Sequence, residues 1–531
     1  MKPESNVLSR NKAIQRVHTR EKPWDLIIIG GGATGVGIAM DAASRGLECL
    51  LVEQSDFGKG TSSRSTKLVH GGVRYLRQGN ITLVRDALRE RSLLLKNAPH
   101  LVHDLSFLIP CKSRWERFFY GTGLWLYDLL STRNSFGRSR QLSASDAQKL
   151  APTVQPKRLQ GGVVYHDGQF DDSRLLINMA RTAVENGACL VNYLAVTRIL
   201  KNDNGQVRGV SLFDLEPQTE LIAEASCVVN ATGPFCDAIR RMDDQDCESM
   251  VAASQGVHLV LPRHFFPGNL ALMVPETADG RVLFLIPWHD RIIVGTTDTP
   301  IDQATMEPQA QADEIKFLLD TLAQYLINPP KLTDVRSIFT GIRPLVRGDK
   351  SARTASLARD HVLKLSTSGL LTITGGKWTT VRKMSEDCVD RVVKILGYQV
   401  RPCQTESMLI HGADLKPTRE SQSLDSRSYY GSDLQQIQKL EKDKPELAAK
   451  LHPSLDIRIS DIVWAVEMEM ARTVEDVLAR RTRSLFLDSR ASLEIANQTA
   501  EVMSEYLGRD QTWIDEQVAS FQETASHFLP S

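Results

Sequence analysis

Residues 25–53 read DLIIIGGGATGVGIAMDAASRGLECLLVE. Four apolar residues in a row, Leu26 to Ile29, lack the alternation of a half-exposed strand and suit one buried on both faces of a parallel sheet. Gly30, Gly32 and Gly35 then form G-x-G-x-x-G. Ile38, Ala39, Ala42 and Ala43 recur at helical spacing, and Gly46 can end that helix. A second apolar run from Cys49 to Val52 follows, closed by Glu53.

Each part of this stretch has a physical task. Gly30 allows a tight turn, Gly32 lets the backbone approach a pyrophosphate, and Gly35 lets the helix pack close to the sheet. Ala33 and Thr34 open the helix, whose free N–H groups and positive dipole end face the phosphates. Glu53 lies 18 residues beyond Gly35, where an acid accepts hydrogen bonds from a ribose and disfavours a 2′-phosphate. The order strand, turn, helix, strand, acid predicts an α/β fold with a Rossmann-like dinucleotide site.

Further along, GTSSRSTKLVHGGVRYL at 60–76 offers small hydroxyl and glycine residues that could line a cofactor continuing past its pyrophosphate. Two more glycine turns follow apolar runs, NATGP at 230–234 and TGGK at 374–377, and both could return to the same nucleotide. The chain has only one G-x-G-x-x-G, whereas a flavin reductase that uses NAD often carries two. Residues 110–395 alternate short β-rich runs with loops. Beyond about residue 400 the pattern turns helical. There Val463, Val466, Met470, Val474, Val477 and Leu478 recur three and four apart, and Thr473 with Asp476 resembles a capping box that would split the stretch into two helices.

At 531 residues the chain is long enough for more than one domain. Lys plus Arg and Asp plus Glu both number 64, so no global basic field exists to hold nucleic acid. No apolar run approaches the ~18–20 residues that span a bilayer, and the start lacks the apolar stretch of a secretory signal. Residues 1–22 hold six Lys/Arg against two acids, and 1–23 are expected to be a flexible basic tail. The eight cysteines form no C-x-x-C pair and sit in apolar segments, as reduced buried thiols do. No metal site is expected.

On these motifs the chain resembles the FAD-dependent, respiratory glycerol-3-phosphate dehydrogenases that pass electrons to quinone. The matching segments are GGGATGVGIAMDAASRG at 30–46, GTSSRSTKLVHGGVRYL at 60–76, NATGP at 230–234, VGTTD at 294–298, GIRPL at 341–345, TGGKWTT at 374–380 and, in the tail, EDVLARRTRSLFLD at 475–488. The resemblance implies a Rossmann-like FAD-binding domain interleaved with a β-rich substrate domain, plus a C-terminal helical domain. The FAD-binding segments would be about 24–110, 160–255 and 345–395. The substrate segments would be about 110–160 and 255–345, and the helical domain 401–531. It implies oxidation of sn-glycerol 3-phosphate to dihydroxyacetone phosphate, with non-covalent FAD as hydride acceptor and a membrane quinone as partner. It places the enzyme in the cytoplasm, peripheral on the inner face of the cytoplasmic membrane. A homodimer is the assembly to test.

By motif match, Gly30, Gly32, Ala33, Thr34, Gly35, Glu53, Thr61, Ser62, Ser63, Lys67, Leu68, His70, Gly71, Gly233, Gly376 and Lys377 would bind FAD. Arg74, Tyr75, His258, Arg343, Lys377 and Thr379 would face substrate, with His258 and Arg343 catalytic. The residue types suit the chemistry. A dianionic phosphate needs cations, which Arg74, Arg343 and Lys377 supply from three distant segments. Hydride loss from C2 requires the C2 hydroxyl proton to leave, and a histidine is a sensible base. A cation near C2, Arg343, would stabilise alkoxide character. Asp298, ending the run IIVG, is read as a turn residue.

Residues 115–130, WERFFYGTGLWLYDLL, hold six aromatics among 16 residues and are flanked by Lys112, Arg114, Arg117 and Arg133. The plainer expectation is a helix capping the substrate domain and buried by protein; the sharper one is an interfacial segment among lipid headgroups. Rival functions are a glycerol-3-phosphate oxidase that uses oxygen, an amino-acid or amine oxidase, and a non-catalytic flavin scaffold. The oxidases carry an added segment, yet only 108 positions separate Gly233 from Gly341. Amino-acid sites need one carboxylate clamp rather than three cations. A scaffold could dispense with Arg74, His258, Arg343 and Lys377, and all four are present.

Overall fold

The computed structural model of the chain describes residues 7–72, 81–130, 136–277, 280–347, 361–413 and 427–530. Two large sheets organise them. In the first, strands Leu370–Gly375, Thr219–Asn230, Trp24–Ile29, Cys49–Val52 and Cys189–Val191 run parallel in that order, with His361–Leu365 antiparallel on one edge. Leu26, Ile27, Ile28, Cys49, Leu50 and Leu51 are fully buried, as the unalternating sequence predicts. Helices Ala33–Ser44, Asp172–Glu185 and Val381–Leu396 cover one face. The other face is covered by an antiparallel meander of Leu194–Lys201, Val207–Asp214 and the first half of Thr219–Asn230.

The second sheet is mostly antiparallel. Its order is Thr299–Pro300, Val251–Pro262, Arg291–Gly295, Leu283–Trp288, Leu270–Val274, Val102–Pro110, Gly162–Phe170, Leu68–Val69, with Ser337–Val346 also paired to Val251–Pro262. Side chains alternate across it. Val257, Leu259 and Leu261 enter the core covered by helix Ala312–Tyr325, while Val260 and Phe339 face the C-terminal helices. The expected segment boundaries therefore shift. Leu68–Val69, Val102–Pro110 and Gly162–Phe170, assigned above to FAD-binding segments, belong to this second sheet. Apolar runs of that length fit a strand in either sheet, so only pairing decides between them.

The expected flexible tail is folded from residue 7 onward among the described residues. Arg10–His18 is a helix against the strand Cys189–Val191. Arg10 is buried and bonds Asp214 at 2.5 Å and the Asn192 carbonyl at 3.1 Å, while Arg20 lies over the Trp24 ring at 4.1 Å. Asp214 and Glu48 pair at 2.5 Å with Arg10 and Arg20 respectively, partners that composition cannot reveal. In the C-terminal domain, helix Ile459–Glu469 ends with Met470 in the left-handed region, and a π-helical turn, Asp476–Arg481, follows. Asp476 accepts from the Thr473 amide at 3.0 Å and donates its own amide to the Thr473 hydroxyl at 3.2 Å, so the capping pair separates two helices as read.

The aromatic segment forms one helix, Arg114–Leu130. Gly121, Leu124 and Tyr127 are buried, yet Trp115, Trp125 and Leu129 are 72%, 63% and 67% exposed and Phe118 and Phe119 are also exposed. This corrects the expectation of a helix buried by protein: one narrow face packs and the apolar stripe faces outward. Arg133 lies outside the described residues. Among the described residues no helix is long and apolar enough to cross a membrane.

Candidate active site

The glycine turn sits where the first strand meets its helix. Gly30 has φ +108°, and a Cβ there would stand 2.9 Å from the Ala231 carbonyl oxygen, so glycine is required. A Cβ on Gly35 would lie 1.9 Å from the Gly30 oxygen; its task is the close helix packing rather than cofactor contact. The helix N-cap, Gly32, offers no side-chain cap, and its first turn holds no acid. Of the first-turn amides, Ala33 donates to the Ser62 hydroxyl at 2.9 Å. The rest of this end suits an anion.

A cavity of about 330 Å³ opens over this turn, lined by Gly30, Gly32, Ala33, Thr34, Glu53, Thr61, Ser62, Gly233, Gly376 and Lys377 among others. Glu53 accepts from the Gly31 amide at 2.6 Å and the Ser55 amide at 2.8 Å. Burial pushes its carboxyl up, against those two donors, and each oxygen retains a second lone pair for a ribose hydroxyl. Gly375 and Gly376, at φ +84° and +73°, turn the chain so that Lys377 follows the strand end. Glycine cradle, uncapped helix and terminal acid together fit a dinucleotide.

A second cavity, about 370 Å³, adjoins the first. Thr61, Pro344, Gly376, Lys377 and Trp378 line both. Leu68, His70, His258, Arg343 and Thr379 line the second. His258 comes from Val251–Pro262, opposite Gly295 and Phe339. A Cβ on Gly295 would meet its ring at 2.2 Å, and the ring stacks on Phe339 at 4.6 Å. It is 2% exposed, and Nε2 lies 2.9 Å from the Thr66 hydroxyl. Burial first, then the Arg343 and Lys67 charges, hold its pKa well below the usual 6.5. The imidazole is therefore neutral near pH 7 and able to accept a proton.

Arg343 is fixed by Asp298 at 3.2 Å, the Thr296 hydroxyl at 3.1 Å, the Thr297 carbonyl at 3.0 Å and the Gln255 carbonyl at 3.3 Å. Asp298 also accepts from Ser254, so it is more than the turn residue expected: it orients a guanidinium. Gly256 leaves the room this needs, since a Cβ there would meet Arg343 Nη2 at 2.3 Å.

Not every expected residue reaches a cavity. Lys67 is fully buried at φ +61°. Its ammonium donates to Asp172 at 2.7 Å and to the Ser63 carbonyl at 2.6 Å, with the Trp288, Phe339 and Phe486 rings within 5.4 Å. Burial drives the lysine down and the Asp172 carboxyl up, and the Ser65 hydroxyl and Ser173 amide also donate to that carboxylate. A motif supplies the residue type; the left-handed backbone turned this side chain away. Ser63 is buried, and Gly71 donates its amide to Asp167 at 3.3 Å; neither lines the cavities. Arg74 and Tyr75 lie outside the described residues. Sequence reading missed Thr66, Asp298, Asp167 and Arg281 as lining residues. Thr66 and Asp298 sit inside quoted motifs, but Arg281 had no signal beyond preceding the strand Leu283–Trp288.

Comparison with known proteins bears on this geometry. Residues 25–382 match the family model described as FAD dependent oxidoreductase, and 388–514 match that of the C-terminal domain of alpha-glycerophosphate oxidase. The mitochondrial glycerol-3-phosphate dehydrogenase of Homo sapiens is 39% identical over 95% of this chain and 73% of its own. The Arabidopsis thaliana enzyme is 38% identical over 92% and 83%. The solved structure of glycerol-3-phosphate dehydrogenase from Bacillus halodurans, complexed with FAD, superposes with a TM-score of 0.80 at 28% identity, covering 98% of this chain and 97% of that one. L-alpha-glycerophosphate oxidase from Mycoplasma pneumoniae shares the fold, at TM-score 0.56 and 16% identity over 72% and 97% of the two chains.

Proposed function

This chain belongs to the FAD-dependent glycerol-3-phosphate dehydrogenase family, and from that premise we propose that it oxidises sn-glycerol 3-phosphate to dihydroxyacetone phosphate and passes the electrons to a membrane quinone. One observation carries the substrate class. Arg343, Lys377 and Arg281 converge on a cavity that also holds the neutral His258. Cations bind the phosphate, and an uncharged imidazole can take a proton. FAD would be held non-covalently along the first cavity by Gly30, Gly32, Glu53, Thr61 and Ser62, and would supply the acceptor for the hydride that leaves C2. Arg343, oriented by Asp298, stabilises the negative charge developing on the C2 oxygen. His258 Nε2, beside Thr66, takes the hydroxyl proton, and Lys377 and Thr379 hold substrate.

The test is anaerobic. Adding sn-glycerol 3-phosphate should bleach the flavin absorbance, and a quinone analogue should restore it faster than oxygen does. A flavin that stays oxidised would end the substrate assignment; faster recovery with oxygen would favour the oxidase. Acid precipitation should release the flavin into the supernatant, and a coloured pellet would overturn the non-covalent assignment.

Quinone lies in the bilayer, so the enzyme must meet a membrane. The exposed stripe Trp115, Phe118, Phe119, Trp125, Leu126 and Leu129, with Lys112 and Arg114 exposed at its start, has the aromatic and basic character of an interfacial helix. On this proposal the protein works peripherally at the inner face of the cytoplasmic membrane, with this helix in the headgroup layer.

A further inference from the structure

Residues 54–60 form bends and turns along the dinucleotide cavity, and Gln54, Gly58, Lys59 and Gly60 line it. Two charged residues among them, Asp56 and Lys59, reach the C-terminal domain, and Lys59 also stands 3.6 Å from Glu307. Asp56, fully buried, accepts from Arg480 Nε at 2.5 Å and from Arg481 Nη1 and Nη2 at 2.7 and 2.9 Å. Lys59 pairs with Glu475 at 2.8 Å. Arg480 also bonds Glu475 at 2.6 Å and Asp476 at 2.7 Å, and Arg481 bonds the Glu469 carbonyl at 2.8 Å. The four charged groups of residues 475–481 thus form one knot closed on two residues of the loop.

The backbone explains how two successive arginines reach one carboxylate. Asp476–Arg481 is wound as a π-helical turn, a rare geometry that recurs at functional sites. Burial alone would raise the Asp56 carboxyl, but the Arg481 and Arg480 charges outweigh it and hold it at about 2, so this carboxylate stays ionised, while burial and the Asp56 charge push Asp476 up. The Phe57 side chain, fully buried, and the Gly58 amide on the Gly31 carbonyl at 3.0 Å fasten the loop independently. Losing the knot should therefore displace the cavity wall rather than unfold it.

We propose that Arg480 and Arg481 are cofactor-positioning residues, through which the C-terminal domain fixes residues 54–60 over the bound FAD and sets how long the cofactor stays. No residue in this chain of contacts needs to touch substrate, so the inference stands apart from the substrate assignment.

The experiment uses full-length holoenzyme without substrate. FAD release is followed as recovery of flavin fluorescence on dilution, and thermal unfolding is measured separately. Asp56→Asn and Arg481→Gln should release FAD at least tenfold faster well below their melting temperatures, and Arg481→Lys should recover part of the loss. Glu475→Gln removes the Glu475 ion pairs of Lys59 and Arg480 without altering a lining residue, leaving Lys59 its contact with Glu307 at 3.6 Å; it should give a smaller acceleration and serves if Asp56→Asn fails to accumulate. Glu441→Gln is the control. It breaks the pairing with Arg427 at 2.7 Å inside the C-terminal domain, and should lower the melting temperature with FAD release unchanged. Native release rates in Asp56→Asn or, failing that variant, in Glu475→Gln would overturn the proposal. So would equal acceleration in Glu441→Gln, since loss of stability alone would then account for it.

Discussion

His258 shows how much a single residue depends on its surroundings. Strand alternation turns it to the C-terminal side of its sheet, Phe339 stacks on it, and the Thr66 hydroxyl meets Nε2. If it is the base, His258→Asn should slow flavin reduction by ~10²–10⁴-fold with substrate binding retained; native reduction rates in stopped flow would end that role. Its lowered pKa fixes the pH profile. The imidazole is already neutral at pH 6.5, so the reduction rate should be flat above that and fall only as the pH drops further below. Arg343→Gln removes one of the two charges that depress it and should move the acid limb up toward 6.5; an unmoved limb would assign it to another group. Removing a charge-assisted partner from a buried anion costs ~2–4 kcal/mol, so Arg343→Ala and Lys377→Ala should each lower kcat/KM roughly thirty- to a thousandfold. Flavin content should fall far less than kcat/KM does, as absorbance of the purified variants would report.

Among the elements, the aromatic helix separates two kinds of information. Its composition was legible in the sequence, but which face would be covered was not, because an aromatic stripe suits a protein core and a headgroup layer equally well. Exchanging Trp115, Phe118, Trp125 and Leu129 for Ser or Gln should abolish co-sedimentation with vesicles containing anionic lipid. Anaerobic flavin reduction should be unaffected, since none of the four lines the cavities. Retained vesicle binding would transfer membrane contact to another surface. The N-terminal helix teaches the converse. Nine residues with a net basic charge carry too little periodicity to stand out from a tail, and only the buried Asp214 beneath Arg10 gives them a place.

For the whole molecule, the ionic knot between the dinucleotide half and the C-terminal domain gives stability a pH dependence. Asp56 and Glu475 are both held at about 2 against ordinary values of 3.8 and 4.5. For a carboxyl lowered by folding, the stabilisation is fully present above its unfolded pKa and is lost as pH falls through the folded one. Each contributes ~2–3 kcal/mol. Stability in urea should therefore hold from pH 7 to about 5 and decline steeply from about 4.5 toward 2. A flat profile over that window would mean the knot is not ionised in the folded state.

The 29 residues from Asp25 to Glu53 determined the dinucleotide fold by themselves, because an unalternating strand, a glycine turn and a terminal acid impose local geometry that little else satisfies. The family resemblance also pointed to His258, Arg343 and Lys377, residue types that suit the proposed chemistry. Tertiary structure decided everything that depends on which way a side chain faces and what lies opposite. It sent Lys67 into a buried pair with Asp172, gave Asp298 an arginine to orient, brought Arg281 to the cavity, and joined residues 475–481 to Asp56 across more than 400 positions of chain. A burial pattern read along one strand cannot encode its distant partner; that choice is made when both sheets and the helical domain pack together.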